Sequence, residues 1–224
     1  MKMKYIIKAF VIAGLVTGNV SAQQLEVVAR IMPPEPDMSG IAVTPDGRVF
    51  LGFPRLADNH RGCALAEWKN GKLIPFPNRD MTYPSNRPYH EWLVSPHGMT
   101  TDSKGNIWLI DDGKRAGTDG IPEGAAKVVG FTSDGNVLAS VPVKSLVLRQ
   151  DMHLNDLRID LKHGEKGMAY ITTSSFGTTP SLIVVDIATG QAREVLANHY
   201  STALFRKDMS LSWREKQELI TKMM

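Results

Sequence analysis

Apolar and polar residues alternate in short runs along most of this chain, and dipeptides containing glycine cut the runs apart. Gly40-Ile41-Ala42-Val43 turns at Asp46-Gly47 and returns as Arg48-Val49-Phe50-Leu51. His97-Gly98-Met99-Thr100 turns at Lys104-Gly105 and returns as Asn106-Ile107-Trp108-Leu109. Asn155 to Ile159 turns through residues 163–167 and returns as Met168 to Ile171. A period of two, β-branched residues and turn dipeptides together predict antiparallel hairpins. A second hairpin follows each of these, over residues 64–76 around Asn70-Gly71, 127–141 around Asp134-Gly135 and 181–196 around Thr189-Gly190. Gly40, Gly98 and Asp156 stand at matching places in the three units, at a constant spacing of 58 residues.

Three four-stranded repeats predict an all-β fold, a β-propeller of antiparallel blades at about residues 39–78, 97–143 and 155–197, within a region spanning 23–203. A period of 58 exceeds the roughly 40–50 residues of common blades. The excess lies in the connections after the second and fourth strand of each unit, which leave an up-and-down sheet on the same edge. One face therefore carries the elaboration, where binding groups usually sit. Propellers close with about four to eight blades. Three do not close, so the expectation is a truncated or frameshifted chain, set against a native half-ring that self-associates through exposed blade edges. Residues 204–224 carry no further repeat, and 213–224 has the composition of a short helix.

The N-terminus changes the charge argument. Lys2, Lys4 and Lys8, the apolar run Ala9 to Val16 and the small residues Val20-Ser21-Ala22 predict a secretory leader over residues 1–22. The run is too short for a membrane span. Those lysines face no acidic residue, so the formal +3 less these three is zero. A neutral remainder gives no reason to expect nucleic acid or a membrane surface as partner. A secreted or periplasmic protein with Cys63 as its one cysteine has no internal disulfide, and Cys63 reads as a small buried hydrophobe.

Several segments in order resemble the major royal jelly protein/Yellow family, as a bacterial member. They are GRVFLGFPR (47–55), ALAEWKNGKLIPFPN (64–78), SPHGMTTDSKGNIWLIDDG (95–113), KVVGF (127–131), HLNDLRIDL (153–161), GMAYITTSSFG (167–177) and LIVVDIATGQAREVL (182–196). The resemblance implies a secreted six-bladed propeller, of which about three blades are present. It also implies fold similarity to calcium-dependent gluconolactonases. Insect relatives include binders of small amines or sterols and proteins linked to dopachrome conversion.

In a propeller the residues opening the first strand of each blade line the central tunnel; here they are Ser39, His97 and Asn155-Asp156. Asn155 and Asp156 are similar to the Asn-Asp of the lactonases and are candidate Ca²⁺ ligands, with Ser39 where a metal-binding glutamate is expected. The alternative is that they cap backbone at a strand start. His97, with Asp111 and Asp112 at the end of the next strand, is a candidate acid–base set; a plain acidic turn balanced by Lys114 and Arg115 is the alternative for the aspartates. Tyr89, His90 and Trp92 in the long loop are candidate contacts for a flat organic ligand, unless the loop packs its aromatics on itself. No GxSxG, HExxH or phosphate-binding glycine loop is present. Two functional readings stand. One is a binder of a small organic molecule on the loop-rich face. The other is a metal-assisted lactonase or dopachrome-type tautomerase, inactive if truncated.

Overall fold

The computed structural model describes residues 27–144, 146–175 and 179–202. The leader expected over 1–22 and the tail helix expected over 213–224 lie outside them. The described residues from Ile31 onward fall in one compact unit, which contains every described strand. The first sheet is β1 (Gly40–Val43), β2 (Val49–Gly52), β3 (Leu65–Lys69) and β4 (Lys72–Pro75). One helical turn, α1 (Arg79–Thr82), and a 3-10 turn over Tyr89–Glu91 lie in the connection to the second sheet. That sheet is β5 (Pro96–Thr101), β6 (Ile107–Asp111), β7 (Lys127–Phe131) and β8 (Val137–Pro142). The third is β9 (Met152–Asp160), β10 (Met168–Ser175), β11 (Ser181–Asp186) and β12 (Ala192–Val195). In each sheet the strands pair antiparallel in chain order. The innermost strands β1, β5 and β9 meet one another in turn. These are the three four-stranded propeller blades that the alternation predicts. No helix among the described residues is long and apolar enough to cross a membrane.

The short turns share one device. Thr44, Asp102 and Thr132 each accept, through a side-chain oxygen, the backbone N–H four residues on, at 3.0 Å in all three turns. Their carbonyls accept from Gly47, Gly105 and Gly135, whose φ angles of 84°, 78° and 89° need glycine. This is a type I turn followed by a left-handed residue, which matches the strand twist at one residue more than a two-residue turn. Asn70 and Gly71, both at positive φ, make the shorter connection between β3 and β4. In the second blade Asp102 also accepts from the Trp108 indole at 3.0 Å, so one carboxylate fixes both turn and core ring.

The middle blade is buried on both faces. Trp108, Ile110 and Val128 join a core with Leu157, Ala169 and Ile171 of the third blade. Ile107, Leu109, Val129 and Phe131 join a core with Phe50, Ala64 and Phe76 of the first. Alternation along each strand thus feeds two cores, which is why β6 and β7 read as continuous apolar runs. Each fully buried side chain of this size stabilises the fold by about 1.5–3 kcal/mol relative to exposure. Cys63 lies in a smaller core with Leu51 and Phe53, and burial pushes its thiol up.

Blades come closest at their inner strands. A Cβ at Gly40 would run into the His97 carbonyl oxygen, and one at Gly98 into Asp156, with the Asn155 carbonyl 2.8 Å away. Glycine at the 58-residue spacing therefore lets one backbone nest against the next.

Candidate functional site

Two bulges shape the inner strands. β5 slips register between Pro96 and Met99, and β9 slips opposite Thr172 and Thr173. An extra residue at a bulge re-aims the side chains around it. The slips fall at His97-Gly98 and around Asn155, matching places in successive blades, on the edge from which the long connections leave.

The adjacent aspartates at the end of β6 have opposite assignments because neighbouring strand residues face opposite ways. Asp111 turns toward its own blade. Its Oδ2 accepts from Val94 N at 2.8 Å and from the Lys127 ammonium at 2.7 Å; its Oδ1 accepts from Ser95 N at 2.7 Å and Gly113 N at 3.1 Å. Both members of the Asp111–Lys127 pair are fully buried. Asp111 therefore pins the segment leading into His97 and has little capacity left for a ligand. Its cation is Lys127, directly opposite on β7, not Lys114 or Arg115.

Asp112 turns toward the next blade. Its Oδ1 accepts from Leu154 N at 2.8 Å, and its Oδ2 lies 3.1 Å from His153 Nδ1. The His153 ring stands edge-on to the His97 ring, with centroids 4.4 Å apart. His97 Nδ1 faces the Ser39 hydroxyl at 3.5 Å, while His97 Nε2 is buried without a hydrogen-bond partner. Burial, and then the neighbouring His153, depress His97 to about 4, so it is neutral at physiological pH. The structure thus brings together His97 and Asp112, both expected from sequence, and adds His153, which the sequence reading passed over. The missed signal is the histidine opening HLNDLRIDL, two residues before the position that the 58-residue period selects.

Asn155 and Asp156 lie on the inner strand as expected, with Ser39, Gly98 and Arg158 around a cavity of about 410 Å³. Asp156 Oδ1 accepts from Leu157 N at 2.8 Å and Oδ2 pairs with Arg158 at 3.0 Å. Calcium takes six to eight oxygens. One carboxylate turned onto its own strand and paired with a guanidinium, beside a serine, does not fit that ion.

The aromatic loop divides. Trp92 is fully buried, donates to the Arg87 carbonyl at 3.2 Å and lies 5.7 Å from the stacked Tyr89 ring. Tyr89 accepts from Arg115 at 2.9 Å, whereas His90 is exposed beside Glu91. Trp92 is thus a core residue and offers no free face to a ligand. Arg55 organises this region. Wholly buried, it spends all five N–H donors on the carbonyls of His60, Gly62, Thr82, Leu93 and Val94 at 2.8–3.1 Å, and lies over the Trp92 ring. Desolvation lowers it to about 10, which leaves it charged at neutral pH.

The family described as major royal jelly protein matches residues 94–217, more than half of the 224 residues and inclusive of His97, Asp112 and His153. The chain belongs to the major royal jelly protein family. Among solved structures, "YCF48 bound to D1 peptide" superposes with a TM-score of 0.42 at 13% identity, covering 77% of this chain and 44% of that one. This family member therefore spans less than half the length of that structure. No curated protein matches its sequence.

Proposed function

We propose that this protein is exported and that its inner-strand cavity binds a small organic molecule carrying polar groups. The observation that carries the reading is the shared concavity itself, to which three successive blades contribute Ser39, Gly98, and Asn155 with Asp156 and Arg158. Its volume of about 410 Å³ lies in the lower part of the range usual for small-molecule sites. The Asp156–Arg158 pair is half-exposed and offers both an acceptor and a donor to such a ligand. Family membership supports a binding propeller, and the leader expected over residues 1–22 supports a secreted or periplasmic location. Catalysis by a lactonase or tautomerase is less well supported. A histidine held near 4 is a weak base at neutral pH, and the Asn155-Asp156 set does not fit calcium.

The test is a thermal-shift and calorimetric screen of small amines, hydroxylated aromatics and lactones, repeated on Asp156→Asn and Arg158→Ala. A ligand that stabilises the wild type should bind each variant about tenfold more weakly, the value of one lost charge-assisted hydrogen bond. Equal affinity in both variants would place the ligand elsewhere and refute the assignment.

A further inference from the structure

We propose that His97, Asp112 and His153 form a site for one divalent transition-metal ion of the zinc class, seated between the second and third blades. The inference does not depend on the organic-ligand reading, because it is read out by the ion alone.

The three side chains come from different parts of the fold, namely the bulge of β5, the residue after β6 and the start of β9. Their donor atoms nonetheless lie within 4.8 Å of one another, and all three residues are buried. Two imidazole nitrogens and one carboxylate oxygen are a donor set that suits zinc and its neighbours, not calcium or magnesium. At zinc–ligand lengths of about 2.0–2.1 Å, tetrahedral donors stand roughly 3.3 Å apart. The Asp112 to His153 separation of 3.1 Å already meets that spacing.

His97 supplies a second, independent observation. Its Nδ1 faces Ser39, and its Nε2 is buried with no partner. Buried polar atoms are nearly always paired, so an unpartnered nitrogen on a ring that packs edge-on to the His153 ring points to a missing electrophile. The supports that a metal site needs are present. Ser39 faces the remaining nitrogen of His97, and Leu154 N holds the second oxygen of Asp112. Asp111 contributes no ligand, since its oxygens already take four hydrogen bonds. Three protein donors leave a fourth position for water or a ligand atom.

The experiment uses tag-free protein stripped with chelator, titrated with Zn²⁺ by calorimetry and with Co²⁺ by visible absorption. The expected result is one equivalent at micromolar affinity or tighter, with cobalt bands of a four- or five-coordinate site and no stoichiometric binding of Ca²⁺. His97→Ala and His153→Ala should each weaken zinc at least 100-fold. His163→Ala, which removes an exposed histidine paired with Asp160, should change nothing. Absence of stoichiometric zinc binding by the wild type overturns the proposal, as does unchanged affinity in His97→Ala or loss of binding in His163→Ala. Should the alanine variants fail to fold, NMR of the wild type decides. Zinc must then shift the imidazole signals of two of the six histidines, and a shift confined to other histidines refutes the site.

Discussion

Replacing Arg55 by methionine tests the claim that one guanidinium holds the loops beside the second blade. The substitution keeps most of the aliphatic volume over Trp92 and removes five N–H donors at once. Each buried acceptor left without a donor costs about 1–3 kcal/mol if nothing relaxes. The loops can shift and admit water, so the sum is an upper bound. The partners are neutral carbonyls, so no charge is left behind, and a loss equal to two hydrogen bonds to a charged group, about 3–5 kcal/mol, is the better guide. For a domain of this size each kcal/mol moves Tm by roughly 2–4 °C, so the melting point should fall by about 6–20 °C. Arg55→Lys retains the charge but offers three donors on a point-like head, and should fall between methionine and wild type. Calorimetric or circular-dichroism melts at neutral pH read both variants. Arg55→Met within about 2 °C of wild type, or Arg55→Lys indistinguishable from it, would mean that these carbonyls find other partners and that the guanidinium does not organise the loops.

Gly130→Ala should destabilise by about 1–3 kcal/mol, because the new methyl would sit 2.5–2.8 Å from three atoms of the Trp108 ring; an unchanged denaturation midpoint would contradict that close approach. Lys127→Met should cost roughly 3–5 kcal/mol by leaving Asp111 buried without its cation. Adding Asp111→Asn should cost less than the two single losses combined, and additivity within about 0.5 kcal/mol in urea melts would argue that the pair is not coupled. Glu67 is held below the usual carboxylate range first by its hydrogen bonds from Arg48, at 2.8 and 2.9 Å. A depressed folded pKa means that this stabilisation is complete above the unfolded value of about 4.3 and is lost as pH falls through the folded one. The pair is partly exposed and worth about 1 kcal/mol or less. Glu67→Gln should therefore melt below wild type at pH 7 and approach it as the pH falls below the usual carboxylate range; a gap that stays constant with falling pH would exclude the pairing.

The blades were legible because their signals are local. Alternation, β-branched residues and glycine at the turns each act within a few neighbours, and the 58-residue spacing links the units. The site was half legible. Periodicity carries His97 forward to Asn155, but bulges interrupt the alternation in β5 and β9, and His153 is the residue that meets Asp112. Lys127 was missed as the partner of Asp111 because attention to adjacent residues favours Lys114 and Arg115, whereas strand pairing sets Lys127 opposite. A lysine opening the otherwise apolar KVVGF was the available hint. Trp92 reads as a loop aromatic, and its complete burial depends on Arg55 and Tyr89, whose convergence no short pattern records.

Gly40 and Gly98 hold a consequence for how such a molecule is assembled. Where they touch the following sheet, the line between wedges is too close for a side chain on the glycine, because backbone of the next strand lies there together with the Met99 and Asp156 side chains. A single methyl at either place would act as a shim, splaying adjacent wedges and widening the arc each one subtends. The approach of each wedge to the next thus depends, at these two places, on a carbon atom that is not there.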